Sequence, residues 1–158
     1  MKRFILAVVF VCLVVAGPAW AAGTVVVGVE SIAFGGGQLV LKLTCTGDAD
    51  NGTVPARLIT DAMVPKNTLG LRAQYYQMGY YLYDVTVEVG DPAPDAADIT
   101  ITDAIGDVLF SEANVIPASG TKSGTIAKYK AITSQLTVTQ ANQATASAVW
   151  YVYLTFVK

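Results

Sequence analysis

The chain has 158 residues, and its 10 lysines and arginines against 12 aspartates and glutamates leave a net charge of −2. It contains no histidine, which removes the usual base of neutral-pH catalysis, the triads built on it and the commonest zinc ligand. It also has no basic cluster that would neutralise phosphates, so we expect no nucleic-acid partner.

The amino terminus, MKRFILAVVFVCLVVAGPAWAAG, has the order of a secretory signal peptide. A basic pair precedes an apolar run, and a Gly-Pro pair breaks the run before a small-x-small sequence that ends at Ala21. We expect cleavage after Ala21 or Ala22, with residues 1–22 as the signal peptide and residues 23–158 as one domain. The run stops short of the roughly 18 residues that a membrane anchor needs. The mature protein is therefore predicted to be secreted or periplasmic, without a membrane span.

Removal of 22 residues from 158 leaves 136, enough for one domain with a real core. It also leaves 8 basic residues against 12 acidic ones. Cys45 is then the single cysteine, so the mature chain cannot form an internal disulfide. We expect Cys45 to be a buried apolar residue; a disulfide between two chains is the alternative.

Apolar and polar residues alternate from Thr24 onward, and no stretch keeps a helical period, so the chain is predicted to be all-β. The segments TVVVGVESIAF and QLVLKLTCT indicate two strands joined by a turn at the glycines of residues 35–37. A phosphate-binding loop would need a following helix, and a strand follows instead.

The next segment, GDADNGTV, contains the turn signal Asp50-Asn51-Gly52. Asp48 and Asp50 have the first spacing of a calcium loop and are candidate metal ligands. The glycine comes one position early for that motif, however, and no glutamate closes the loop. Asn51 also begins a glycosylation sequon, which matters only in a host that modifies such sites.

The segment DAMVPKNTLGLRAQYYQMG is predicted to be a long surface connection from one sheet to the other. Met63, Leu69 and Leu71 should attach it to the core. The strand YYLYDVTVEV follows, and period-2 alternation predicts that Tyr81, Tyr83 and its three valines face the core.

The segment PDAADITITDAIGDVLF is interpreted as a hairpin. Asp103 and Gly106 should bracket its turn. Four apolar side chains of its two strands are predicted to face the core: Ile99, Ile101, Val108 and Phe110.

Three aspartates of this hairpin, Asp98, Asp103 and Asp107, are further candidate metal ligands. Asp98 and Asp107 are expected near strand ends, where they could lie across from one another. Paired carboxylates are the one catalytic resource of the chain, as in a glycosidase. Aspartates in turns ordinarily accept backbone hydrogen bonds, however. We therefore expect that the protein is not an enzyme, that it has no catalytic residue and that it binds no cofactor.

The last third of the chain contains PASGTKSGT, read as a loop, QLTVTQ, read as a strand, and SAVWYVYLTFVK. Residues of this last strand are apolar on both faces, which predicts a central position in its sheet; a loop or a neighbouring subunit that covers its outer face is the alternative. Seven to nine strands without crossover helices predict a single antiparallel β-sandwich or jelly-roll-like domain.

Tyrosines are concentrated just before and at the start of the strand YYLYDVTVEV, and again in the last strand. Their rings either fill the core or form an exposed surface that stacks on sugars or on another protein. The candidate binding or interface residues are Tyr75, Tyr76, Tyr80, Tyr151 and Tyr153.

The order GDADNGTV, YYLYDVTVEVGDPAPDAADITITDAIGDVLF, ANVIPASG, QLTVT and VWYVYLTFV resembles a class of small phage virion structural proteins. The resemblance covers roughly residues 45–158. It implies a non-enzymatic β-sandwich that packs with copies of itself or with a larger assembly. It also implies structural roles in turns and at strand ends for Asp84, Asp98, Asp103, Gly106 and Asp107.

The export signal departs from that class, because virion proteins assemble in the cytoplasm. A bacterial secreted protein with the same sandwich is the alternative. The function expected from the sequence is that of a structural or interaction protein whose partner is itself or another surface or structural protein. A carbohydrate- or surface-binding module with a glycan ligand is the second hypothesis.

Overall fold

The computed structural model describes residues 22–33, 37–60, 80–117, 119–124, 126, 131–132 and 135–158. Within these ranges the chain forms strands and no helix, which confirms the all-β prediction. The expected signal peptide lies outside them, apart from its last residue. The nine strands are β1 (Thr24–Ala33), β2 (Gln38–Thr46), β3 (Arg57–Ile59), β4 (Tyr81–Val89), β5 (Ala97–Asp103), β6 (Val108–Ile116), β7 (Thr121–Gly124), β8 (Leu136–Ala141) and β9 (Val149–Val157).

The strands form two antiparallel sheets. The five-stranded sheet has the order β1-β2-β9-β4-β7, and the four-stranded sheet has the order β3-β8-β5-β6. β9 is thus the central strand of the larger sheet, as its two apolar faces predicted. All nine residues of β9 pair with β2, from Val149 opposite Thr46 to Val157 opposite Gln38.

Buried side chains from both sheets form one hydrophobic core. Side chains that are fully enclosed come from β2, β9, β5 and β8 in alternate positions. A polar contact also joins the sheets, because Gln140 of β8 accepts a 2.6 Å hydrogen bond from the Trp150 indole of β9. The Gln140 amide lies 3.2 Å from the Cys45 sulfur of β2. The predicted β-sandwich-like domain is confirmed.

The chain passes from the four-stranded sheet, where β3 ends at Ile59, to the five-stranded sheet, where β4 begins at Tyr81. The predicted crossing between sheets is therefore correct. Its residues 61–79, with Met63, Leu69 and Leu71, lie outside the described residues.

The predicted core face of β4 is wrong in its first half. The register with β9 shifts between Leu82 and Asp84, which leaves Tyr83 as an extra, bulged residue. Leu82 is consequently 1% exposed, whereas Tyr81 and Tyr83 are 40% and 58% exposed. Beyond the bulge the alternation agrees with the prediction, and the first two valines are fully buried.

A second bulge changes the hairpin of β5 and β6. Ile101 pairs with Phe110 and Thr102 pairs with Val108, so Leu109 is the extra residue. Phe110 is buried as predicted, but Val108 is 41% exposed and Leu109 is buried in its place. Ile99 and Ile101 are both fully buried, as their alternation predicted.

The segment predicted as a Ser/Gly/Thr loop contains β7, which pairs with β4 from Thr121 opposite Glu88 to Gly124 opposite Val85. A Cβ on Gly124 would lie 2.5 Å from the Phe110 ring. The strand therefore depends on backbone pairing and on close approach to β6, and neither produces an apolar sequence pattern.

The β4 bulge predicts opposite outcomes for two neighbouring substitutions. Leu82→Ala should lower the free energy of unfolding by about 2–5 kcal/mol because it leaves a cavity. Tyr83→Ala should change it by about 0.5 kcal/mol or less, since the ring is mostly in solvent. Urea denaturation monitored by Trp150 fluorescence measures both. A larger loss for Tyr83→Ala than for Leu82→Ala would contradict the bulge.

Candidate functional site

The hairpin turn is built around the Asp103 carboxylate. Its Oδ1 accepts backbone hydrogen bonds from Ile105 at 3.1 Å and Asp107 at 2.9 Å. Gly106 closes the turn with φ of 87° and donates its N–H to the Asp103 carbonyl at 3.1 Å. Asp103 and Gly106 bracket the turn as predicted, and Asp103 is only 8% exposed.

Asp98 lies at the opposite end of the hairpin. It pairs with Ala141 in the first part of β5, and its carboxylate accepts hydrogen bonds from the Asn114 N–H and the Asn142 amide. Asp107 follows β5, beside Asp103. The expectation that Asp98 and Asp107 lie across from one another is therefore wrong, since the length of β5 separates them, about 17 Å at 3.4 Å per residue.

The other two candidate aspartates lie in the turn after β2. Asp48 Oδ1 accepts hydrogen bonds from the N–H groups of Asp50 at 2.8 Å and Asn51 at 3.1 Å. Gly52 completes the turn with φ of 72°. The Asn51 side chain in turn accepts the Thr53 N–H at 2.9 Å, so the sequon forms part of the same turn.

The candidate aspartates are thus divided among separate turns and strand ends. In the described part of the chain, no three acidic or cysteine side chains gather as a metal site would require. The arrangement can fix backbone N–H groups in turns, which is the ordinary chemistry of such aspartates.

The candidate tyrosines have different surroundings. Tyr80 is 8% exposed and belongs to the core, so its ring offers little surface to a partner. Tyr151 and Tyr153 are half-buried and project from β9 on the side away from the core. Tyr75 and Tyr76 lie outside the described residues.

The side of the five-stranded sheet that faces away from the core is called the outer face here. Strand register places its side chains in rows across β1, β2, β9 and β4. One row contains Val26, Thr44, Tyr151 and Glu88, and the next contains Gly28, Lys42, Tyr153 and Thr86.

Lys42 lies on the outer face, in the middle of β2. Its ammonium lies 4.5 Å from the ring centroid of Tyr151 and 5.3 Å from that of Tyr153. The Tyr153 hydroxyl donates a 2.8 Å hydrogen bond to Glu88. Hydrogen bonding with Tyr153 raises the pKa of Lys42, while desolvation, followed by the bond to Glu88, raises the pKa of Tyr153. A cation thus covers the ring faces on which a sugar would stack.

Cys45 is fully buried on the inner face of β2, as predicted. Burial raises the pKa of its thiol to about 12. A buried, protonated thiol is a poor nucleophile, so the fold does not favour the alternative of a disulfide between chains.

Three exposed side chains of the five-stranded sheet were not expected to reach solvent from the sequence. Val26 of β1 is 61% exposed, and the two tyrosines beside the β4 bulge are the others. Gly28, two residues after Val26, is the one sequence signal beside that valine, because glycine inside a strand often marks a close approach.

Comparison with protein-family models, curated proteins and solved structures finds no match to this chain. The resemblance to phage virion proteins therefore stays a prediction. Among the described residues, no helix has the length and apolar character needed to cross a bilayer.

The role of Asp103 predicts a stability loss that calcium does not alter. Asp103→Ala removes the acceptor of two backbone N–H groups and should cost about 1–3 kcal/mol, whereas Asp50→Ala, at an exposed turn position, should cost about 0.5 kcal/mol or less. Thermal denaturation with and without calcium measures both variants. A rise of several degrees in the wild-type melting temperature with calcium, absent in Asp103→Ala, would show that Asp103 is a metal ligand instead.

Proposed function

We propose that this protein is a secreted or periplasmic structural or interaction β-sandwich that self-associates or joins a larger surface or virion-like assembly. The observation that carries the proposal is the exposure of two tyrosines and a valine on the five-stranded sheet. Val26, Tyr81 and Tyr83 are 61%, 40% and 58% exposed, and all belong to the five-stranded sheet.

Single exposed apolar residues are common and need no explanation. Tyrosines, however, are enriched at protein interfaces, where a rigid ring contributes contact area at a small entropic cost. Together with half-buried Tyr151 and Tyr153, they make this sheet the more suitable surface of the domain for a partner.

The carboxylates support a non-enzymatic role. Asp48, Asp98 and Asp103 each accept at least two hydrogen bonds in a turn or at a strand end. A carboxylate used in this way fixes the conformation of the backbone. This structural role explains its presence without any part in proton transfer.

A carbohydrate-binding module is the second candidate, favoured by the solvent exposure of Tyr81 and Tyr83. It is weakened by Lys42, which occupies the faces of Tyr151 and Tyr153. The exposed tyrosines of β4 lie at the bulge, and neither of them pairs with Tyr151 or Tyr153 of β9.

The proposal predicts association without any added ligand. Protein purified after expression of the full chain should scatter light with at least twice the mass of one chain and should form cross-links between copies. A protein that stays monomeric at every concentration and forms no such cross-links would contradict the proposal. Retention of that monomer on an insoluble polysaccharide would support the binding module instead.

A further inference from the structure

The four edges of the two sheets are not equally open to a new strand. The β3 and β7 edges have only three and four residues. β6 has nine residues, but its register shifts twice, and Lys122 of β7 donates a 2.9 Å hydrogen bond to the Asn114 carbonyl of β6. Short length, bulges and lysines are the devices that protect sheet edges from pairing.

β1 lacks these devices over most of its length. It has ten residues, and its register with β2 shifts only between Val29 and Ser31, near its end. Residues 24–29, TVVVGV, contain no charge and no proline. Alternate residues of an antiparallel edge direct their N–H and C=O groups away from the sheet. Among the described residues, no strand pairs with that side of β1.

Gly28 has no local explanation in the fold. A Cβ at this position would meet a single atom, the Lys42 carbonyl oxygen at 4.0 Å, and the φ of Gly28 is not positive. Glycine inside a strand is less favourable than alanine, because it loses more conformational freedom on folding. An approaching neighbour that uses the missing side chain's space would account for it.

We propose that β1 pairs with β1 of a second copy, antiparallel about a twofold axis at Val27, and joins two five-stranded sheets into one. This inference rests on the proposed function and names the partner and surface of the self-association. Edge-to-edge strand addition is an established mode of recognition, in which backbone hydrogen bonds supply the affinity.

The outer face selects this register. An axis at Val27 places the exposed Val26 side chain opposite Gly28 of the partner subunit, where there is space for it, and does so twice by symmetry. An axis at Gly28 would place Val26 opposite the carboxylate of the partner's Glu30. An axis at Val26 would place Gly28 opposite the partner's Thr24. Val26 would then not lie opposite Gly28, and the space beside that glycine would not be used by it.

The inner face and the charges agree with the same register. Val25, Val27 and Val29 are buried or half-buried against the core, and across the axis Val25 would meet Val29 of the partner subunit. Such β-branched cross-strand pairs stabilise antiparallel sheets. Both Glu30 carboxylates lie at opposite ends of the new ladder, so two acidic subunits meet through uncharged residues.

Two β1 variants and one matched control test the proposal by light scattering over a range of concentrations. Gly28→Val has room in the single chain but fills the space needed by Val26 of the partner subunit. Val26→Lys places a charge there. Because symmetry repeats each change, both should weaken association by about tenfold or more. Val108→Lys, the same substitution at an exposed valine of the other sheet, should leave association unchanged.

A disulfide provides a second test of the register. In an antiparallel pair the two Val27 Cα atoms would be about 4.5–5.5 Å apart, within the range that a disulfide spans. Val27→Cys should therefore form a covalent dimer under mild oxidation. Wild-type protein, whose Cys45 is fully buried, serves as the control that should not.

The outcomes separate this inference from the proposed function. Association that survives Gly28→Val and Val26→Lys, with no crosslink through Val27→Cys, would overturn the β1 interface and leave self-association through another surface. A wild-type protein that is monomeric throughout would overturn both. Circular dichroism of each variant must match the wild type, and a folded Gly28→Val monomer is the result that supports the interface most strongly.

Discussion

The burial of β9 between β2 and β4 determines how the rest of the domain is arranged. Trp150, Val152, Leu154 and Phe156 form its inner face and are completely enclosed, so the four-stranded sheet must cover them. The Trp150 indole N–H also needs an acceptor in a dry interior, and Gln140 supplies it from the opposite sheet. The two sheets are thus joined by apolar packing and by polar contacts such as this one.

This arrangement explains where the domain can interact. The inner faces are fully used by the core, and the carboxylates at the turns are used by the backbone. What remains are the outward sides of the two sheets, including the outer face with Lys42 held over Tyr151 and Tyr153, and the sheet edges. β9 pairs with β2, and β2 pairs with β1. β1 is therefore an edge strand, and alternate backbone groups of it are directed outward. An apolar strand at that position is suited to pairing more than to solvation.

Much of the fold could be predicted from side-chain periodicity. Ile99, Ile101 and the inner face of β9 followed their alternation, and the turn at Asp103 and Gly106 followed its residue types. Tyr83 and Leu109 could not be predicted as bulges, because an inserted residue changes the faces of a strand without altering its composition. The candidate site was missed for a similar reason: the exposure of Val26 depends on strand order, which long-range packing decides.

Amide hydrogen exchange along β1 tests the central claim, that this edge is paired in the working protein, most directly. In associated wild-type protein the amides of residues 24–29 that point away from β2 should exchange slowly, and they should exchange rapidly in the Gly28→Val monomer. The amides of β9, paired on both sides within one chain, should exchange slowly in both. Equal exchange rates along β1 in the associated wild type and in the monomeric variant would contradict the account.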